Sequence, residues 1–148
     1  MKNVIISGYF DPINGKGHIE YIKLSKKFAG TDGKLIVIVN NDEQAILKKG
    51  KYFMKCDDRM IVINELKDVD EVVKSIDTDR SVCNTLRYIH SIYKENELWF
   101  VNGGDSFNNN IPETQICNEL NIKLLDGFGD KISSSSWLTG LQAINYVK

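Results

Sequence analysis

The residues best equipped for chemistry stand in one run, Gly8-Tyr9-Phe10-Asp11-Pro12-Ile13-Asn14-Gly15-Lys16-Gly17-His18. Glycine lets a backbone come close to a ligand, and the first turn of a helix offers N–H groups to an anion. The run lies between Val4-Ile5-Ile6, which reads as a short buried strand, and a helical pattern that continues to residue 28. Its composition suits the holding of phosphate. His18, at the helix start, can hydrogen-bond phosphate oxygens as negative charge gathers on them; read as structure alone, it contacts backbone or caps the turn. Asn14 can donate one hydrogen bond but bears no charge. Lys16 either reaches phosphate as a point charge or stands solvated in the loop.

Four further clusters could join that loop. Lys48-Lys49-Gly50-Lys51 follows a strand ending in Asn40-Asn41-Asp42, although a charge run is also what a solvated face looks like. Asp57-Asp58-Arg59 sets two carboxylates in a first helical turn, where the helix dipole favours them. Arg59 can bind a phosphate or pair with a carboxylate. Asn102-Gly103-Gly104-Asp105 follows another strand, and loops at the carboxyl ends of parallel strands face ligands. Gly103 and Gly104 would let a base or ribose approach and Asp105 would accept from hydroxyls, while the same residues also make a plain turn. In Lys131-Ile132-Ser133-Ser134-Ser135-Ser136-Trp137-Leu138, consecutive hydroxyls entering a helix can cap it and bind phosphate together, or form a flexible linker. His90 has no companion motif and reads as surface.

These loops meet only if the scaffold returns each of them to one edge. Strand-like apolar runs recur at 3–7, 35–40, 71–75, 98–102 and 123–125, with helical patterns at 18–28, 57–66 and 82–94. In 82–94, Val82, Leu86, Ile89 and Tyr93 fall at helical spacing. Asn110-Ile111-Pro112-Glu113 opens another helix, with a capping residue, a proline in the first turn and glutamate three residues on. A last helix is expected over 135–145. Alternation of strand and helix predicts an α/β fold: an open, mostly parallel five-stranded sheet with helices on both faces. No repeat or proline-rich linker divides the chain, so residues 1–148 are expected to form a single domain.

Composition narrows the function classes. A chain of 148 residues, 42% hydrophobic and 26% charged, is ordinary for a globular domain. A formal net charge of -1 gives no footprint for a nucleic-acid partner. No window approaches the roughly 18 apolar residues of a membrane span, and no leader pattern opens the chain. Cys56, Cys83 and Cys117 are odd in number and widely spaced, which suits packing in a reducing, cytoplasmic setting rather than a disulfide framework or zinc site. A dinucleotide-dependent oxidoreductase is disfavoured, because the Gly-x-Gly-x-x-Gly spacing and a placed ribose-binding acid are both missing.

The first run resembles the signature Gly-x-Phe-Asp-x-x-His-x-Gly-His of the cytidylyltransferase-like nucleotidyltransferases, a Rossmann-like superfamily. Gly8, Phe10, Asp11, Gly17 and His18 match in order. The stretch is one residue longer, and Asn14 or Gly15 falls where the first histidine belongs. The resemblance extends to Lys49 before Gly50, to the acidic-acidic-Arg segment, to Gly-Gly-Asp and to the serine cluster. A basic residue many relatives carry after Gly-Gly-Asp is replaced here by Ser106, and an arginine after the serines by Thr139-Gly140-Leu141.

The resemblance implies transfer of a nucleoside monophosphate, CMP before AMP, from a nucleoside triphosphate to a phosphorylated small molecule, with release of pyrophosphate. It implies that His18, Lys49 and Asn14 act on the phosphates. Gly8, Tyr9, Phe10, Asp11, Lys16, Gly17, Gly103, Gly104, Asp105, Ser134, Ser135 and Ser136 would line the nucleotide, and Arg59 the acceptor. Asp11 would orient groups near the metal or acceptor, or only brace the loop. Magnesium is implied on the triphosphate oxygens, with no metal ligand assigned to a side chain; a homodimer is a further expectation. A second reading stays open, a weakened or non-catalytic nucleotide- or sugar-phosphate-binding module of the same fold. Loss of one transition-state donor costs on the order of 10²–10³ in rate, which slows such an enzyme without abolishing it.

Overall fold

A computed structural model describes residues 2–102 and 112–125. Its five strands are β1 (Lys2–Gly8), β2 (Lys34–Val39), β3 (Glu71–Lys74), β4 (Glu97–Val101) and β5 (Lys123–Leu125). They form one sheet in the order β3-β2-β1-β4-β5, and each neighbouring pair is parallel. The expectation of a mostly parallel five-stranded sheet is met by one that is wholly parallel. Five α-helices accompany them: α1 (Glu20–Ala29), α2 (Asp42–Lys49), α3 (Cys56–Asn64), α4 (Cys83–Ile92) and α5 (Glu113–Leu120).

Central parallel strands are covered on both faces and therefore read as continuous β-branched runs. Val4-Ile5-Ile6 and Leu35-Ile36-Val37-Ile38-Val39 are all fully buried. Successive side chains alternate between faces, which divides the core in two. Val4, Ile6, Leu35, Val37 and Val39 pack with Ile22 of α1 and Ile63 of α3. Ile5, Ile36 and Ile38 pack with Leu86 and Ile89 of α4 and with Ile116 and Cys117 of α5. Each such side chain contributes about 1.5–3 kcal/mol on burial, so the two cores fix the sheet between helical layers.

Three elements depart from the sequence reading. A five-residue π turn, Gly15–Ile19, precedes α1, so His18 stands one turn before the α-helix and not within it. Helix α2 was not anticipated, because the segment before Lys48 shows no apolar stripe. It forms through its ends: Asn41 and Gln44 complete a capping box, and Gly50 closes it in the left-handed region at φ 84. At α5 the cap is Pro112, and Glu113 accepts the Val82 N–H at 2.9 Å instead of reaching back to its own helix start. Asn110, Ile111 and the helix expected at 135–145 lie outside the described residues.

The strand order reverses between β1 and β4, with β2 and β3 on one side and β5 on the other. Open parallel sheets bind ligands outside the carboxyl ends of their strands at this switch point. The loops after Gly8, Val39, Lys74 and Val101 all leave from that edge.

Candidate active site

The motif loop is shaped by one aromatic ring. Phe10 takes φ 50 and is 2% exposed, its ring folded back over Gly8. A Cβ on residue 8 would meet Phe10 Cζ at 2.8 Å, so only glycine admits the ring there. The left-handed conformation costs a bulky residue roughly 1–2 kcal/mol, and burial of the ring returns about as much. The ring then meets the His18 imidazole edge-on, with centroids 5.0 Å apart and planes at 67°.

Asn14 sets the other side of the imidazole. Its Oδ1 accepts the N–H groups of Gly17 at 2.7 Å and His18 at 3.1 Å, and its own N–H donates to His18 Nδ1 at 3.1 Å. A neutral imidazole that accepts at Nδ1 carries its proton on Nε2. Burial, reinforced by the positive charge of Lys49, lowers the His18 pKa below its ordinary 6.5. His18 is thus a neutral ring at neutral pH with its donor at Nε2. The sequence reading took the helix start as a source of unpaired N–H groups; Asn14 Oδ1 engages those of Gly17 and His18.

Asp11 and Arg59 both face the protein. The Asp11 carboxylate accepts the N–H groups of Phe53 at 2.8 Å and Met54 at 2.7 Å, bracing the loop between α2 and α3 against the motif. Arg59 is 1% exposed. Its guanidinium donates to the carbonyls of Met54, Tyr9 and Asn40, each at 2.8 Å, and to Asp42 Oδ1 at 2.9 Å. Of its two sequence readings, the pairing with a carboxylate is the one observed. The acceptor reading is corrected on that ground: the guanidinium is turned inward and spends its donors on the protein's own carbonyls and on Asp42.

A cationic cluster stands over Tyr9. Lys48 Nζ lies 4.7 Å from the Tyr9 ring centroid and Lys49 Nζ 6.0 Å from it. Burial, then the charges of Lys49 and Arg80, lower the pKa of Lys48. Burial raises the pKa of Tyr9 against the opposing pull of Arg80 and Arg59. Of the anticipated residues, the structure brings together Gly8, Tyr9, Phe10, Asp11, Asn14, Gly17, His18, Lys49 and Arg59, with Lys16 exposed on the π turn. Gly103, Gly104, Asp105, Ser134, Ser135 and Ser136 lie outside the described residues. Sequence reasoning missed Lys48 as a partner of Tyr9, and it missed Arg80 altogether. The capping box of α2 was the available signal for Lys48; Arg80 had none, since only the fold carries the β3–α4 loop to this edge.

Among the described residues, no three His, Cys, Asp or Glu side chains converge to hold a metal. Asp11 has both oxygens engaged by backbone.

A parallel sheet that reverses at β1 and β4, with a Gly-rich loop, a neutral histidine and two lysines at its carboxyl edge, defines a Rossmann-like nucleotide-binding domain. The chain belongs to the cytidylyltransferase-like family, whose profile matches residues 5–136, and it is a nucleotidyltransferase. It is 32% identical over 139 residues to the FAD synthase of Korarchaeum cryptofilum, covering 90% of this chain and 88% of that one. It is 30% identical over 81 residues to the FAD synthase of Methanopyrus kandleri, covering 55% and 53% of the two chains. The lipopolysaccharide core biosynthesis protein of Thermoplasma volcanium shares the fold, at a TM-score of 0.63 and 23% identity, over 85% of this chain and 95% of that one. Among the described residues, no helix is long and apolar enough to cross a membrane.

Proposed function

We propose that this nucleotidyltransferase transfers AMP from ATP to the phosphate of FMN, forming FAD and pyrophosphate. The observation that carries the choice of substrates is the 32% identity to an archaeal FAD synthase across 90% of the chain. FAD is FMN and AMP joined through a pyrophosphate bridge, so the reaction balances without a further reactant. An oxygen of the acceptor phosphate attacks the α-phosphorus; the bond from that phosphorus to the β-bridging oxygen breaks, and pyrophosphate carries the electron pair away.

Such a reaction asks the protein for positioning and for stabilisation of spreading charge. In this reading His18 Nε2–H donates to the oxygens on which charge accumulates, and Lys49 adds a point charge beside it. Asn14 serves by holding the imidazole, with its Oδ1 spent on the turn. Magnesium arrives on the triphosphate, as the ion is most often bound with several waters and substrate phosphates. CTP, favoured by the resemblance alone, is the competing donor.

The test is pyrophosphate release in the presence of magnesium, with ATP and CTP offered separately against FMN, glycerol 3-phosphate, ethanolamine phosphate and a heptose phosphate. The proposal predicts release that requires ATP and FMN together, with FAD as the product. Release that requires CTP, or a different phosphate monoester, would replace the substrates and keep the reaction class.

A further inference from the structure

We propose that Arg80, together with Lys48, forms the subsite that receives the acceptor's phosphate. The inference rests on the nucleotidyl-transfer reading of the site and adds a residue to it. Arg80 lies in the loop between β3 and α4, far in sequence from every motif. That loop is built, residue by residue, onto the start of α2. The Gln44 side chain is fully buried, and its Nε2 donates to the carbonyls of Asp79 at 2.7 Å and Ser81 at 2.8 Å, one on each side of Arg80. Asn41 Nδ2 donates to the carbonyls of Ser75 at 3.0 Å and Asp77 at 2.9 Å in the same loop. The two residues of the α2 capping box thus fix both the helix that carries Lys48 and the loop that carries Arg80.

Among the described residues, the charges so assembled lack a counter-charge. None of the ion pairs among the described residues uses Lys48, Lys49 or Arg80. Asp79, the nearest carboxylate in sequence, turns back on its own loop, accepting from Ser81 N at 3.0 Å and from Ser81 Oγ at 2.7 Å. Like charges held close by a rigid scaffold repel unless an anion joins them. The Gln44 bonds hold the backbone on both sides of Arg80 one helical turn from Lys48, and Lys48 Nζ stands 4.7 Å from the Tyr9 ring of the motif loop.

The strand order separates the two substrates in this proposal. A nucleotide seats at the switch point between β1 and β4, with its phosphates at His18. The acceptor then comes from the β2–β3 side, where α2 and the Arg80 loop stand. A guanidinium matches two oxygens of a phosphate monoester at once, leaving the third for attack.

The experiment titrates the full chain with FMN and, separately, with magnesium–ATP, in wild type, Arg80→Ala, Arg80→Lys and Lys48→Ala. Arg87→Ala is the control, since Arg87 pairs with Glu119 on the outer face of α4 and α5. Loss of a charged contact predicts FMN binding weaker by about ten-fold or more in both alanine variants. Magnesium–ATP binding should stay within about two-fold, with Arg80→Lys intermediate for FMN. Equal weakening of ATP would assign these cations to the triphosphate and overturn the subsite, as would unchanged FMN affinity in Arg80→Ala. Glycerol 3-phosphate and ribose 5-phosphate are titrated in parallel. A wild type that binds one of them but not FMN refutes the flavin substrate, and the same variants then read the subsite itself. A wild type that binds no phosphate monoester refutes the subsite outright.

Discussion

At the scale of single residues, the account turns on the state of one imidazole. Asn14 N–H at Nδ1 places the His18 proton on Nε2, and burial followed by the Lys49 charge holds the pKa below 6.5. As pH falls through 6.5, the unfolded chain takes up this proton before the folded one does, so His18 subtracts stability on acidification and has no such effect above that value. Replacing Lys49 by alanine removes the smaller of the two causes. The imidazole pKa of nucleotide-free Lys49→Ala, followed by NMR, is therefore expected to rise towards 6.5 without reaching it. An unchanged value would separate Lys49 from His18 and remove it from the phosphate site. The motif itself was legible because its residue types are rare in combination. The role of Asn14 was not, since an asparagine that donates to a ligand and one that caps a turn look alike in sequence.

At the scale of elements, Arg59 holds three segments to one another: the motif loop at Tyr9, the end of β2 at Asn40, and the α2–α3 loop at Met54. Removing it leaves those carbonyls unpartnered in the interior, beside Asp42. Arg59→Met is expected to cost about 3 kcal/mol in urea unfolding, a large share of the ~5–15 kcal/mol of a typical domain. Arg59→Lys should recover little, because one ammonium cannot span donors set in a planar fork. A loss under about 0.5 kcal/mol, the range of ordinary surface substitutions, would contradict the hub.

The strands were legible because central parallel strands are unbroken apolar runs. Helix α2 was not, because it buries only Gln44 and Ala45 and leaves Ile46 and Leu47 half exposed. Its signals were chemical and lay at its ends, in Asn41, Gln44 and Gly50. The acidic-acidic-Arg segment was placed at the right helix start, but the partners that turn Arg59 inward come from loops remote in sequence.

At the scale of the whole molecule, the sheet divides the labour. In the proposed reaction the nucleotide takes the β1–β4 switch point, while the β2–β3 side carries α2 and the Arg80 loop as one hydrogen-bonded unit. Fold class and family were legible from alternation and from the motif, and the profile over 5–136 agrees with both. Which base and which acceptor are used is set by loop contacts that a sequence does not display. The central claim, that the α-phosphate is the one transferred, is tested most directly with ATP labelled in either its α- or its γ-phosphate, incubated with FMN and magnesium. The account predicts α-label in a dinucleotide, γ-label in pyrophosphate, and loss of both products in His18→Ala with the fold retained. Label from the γ-phosphate appearing on the acceptor, or α-label transferred undiminished by the His18→Ala variant, would contradict it.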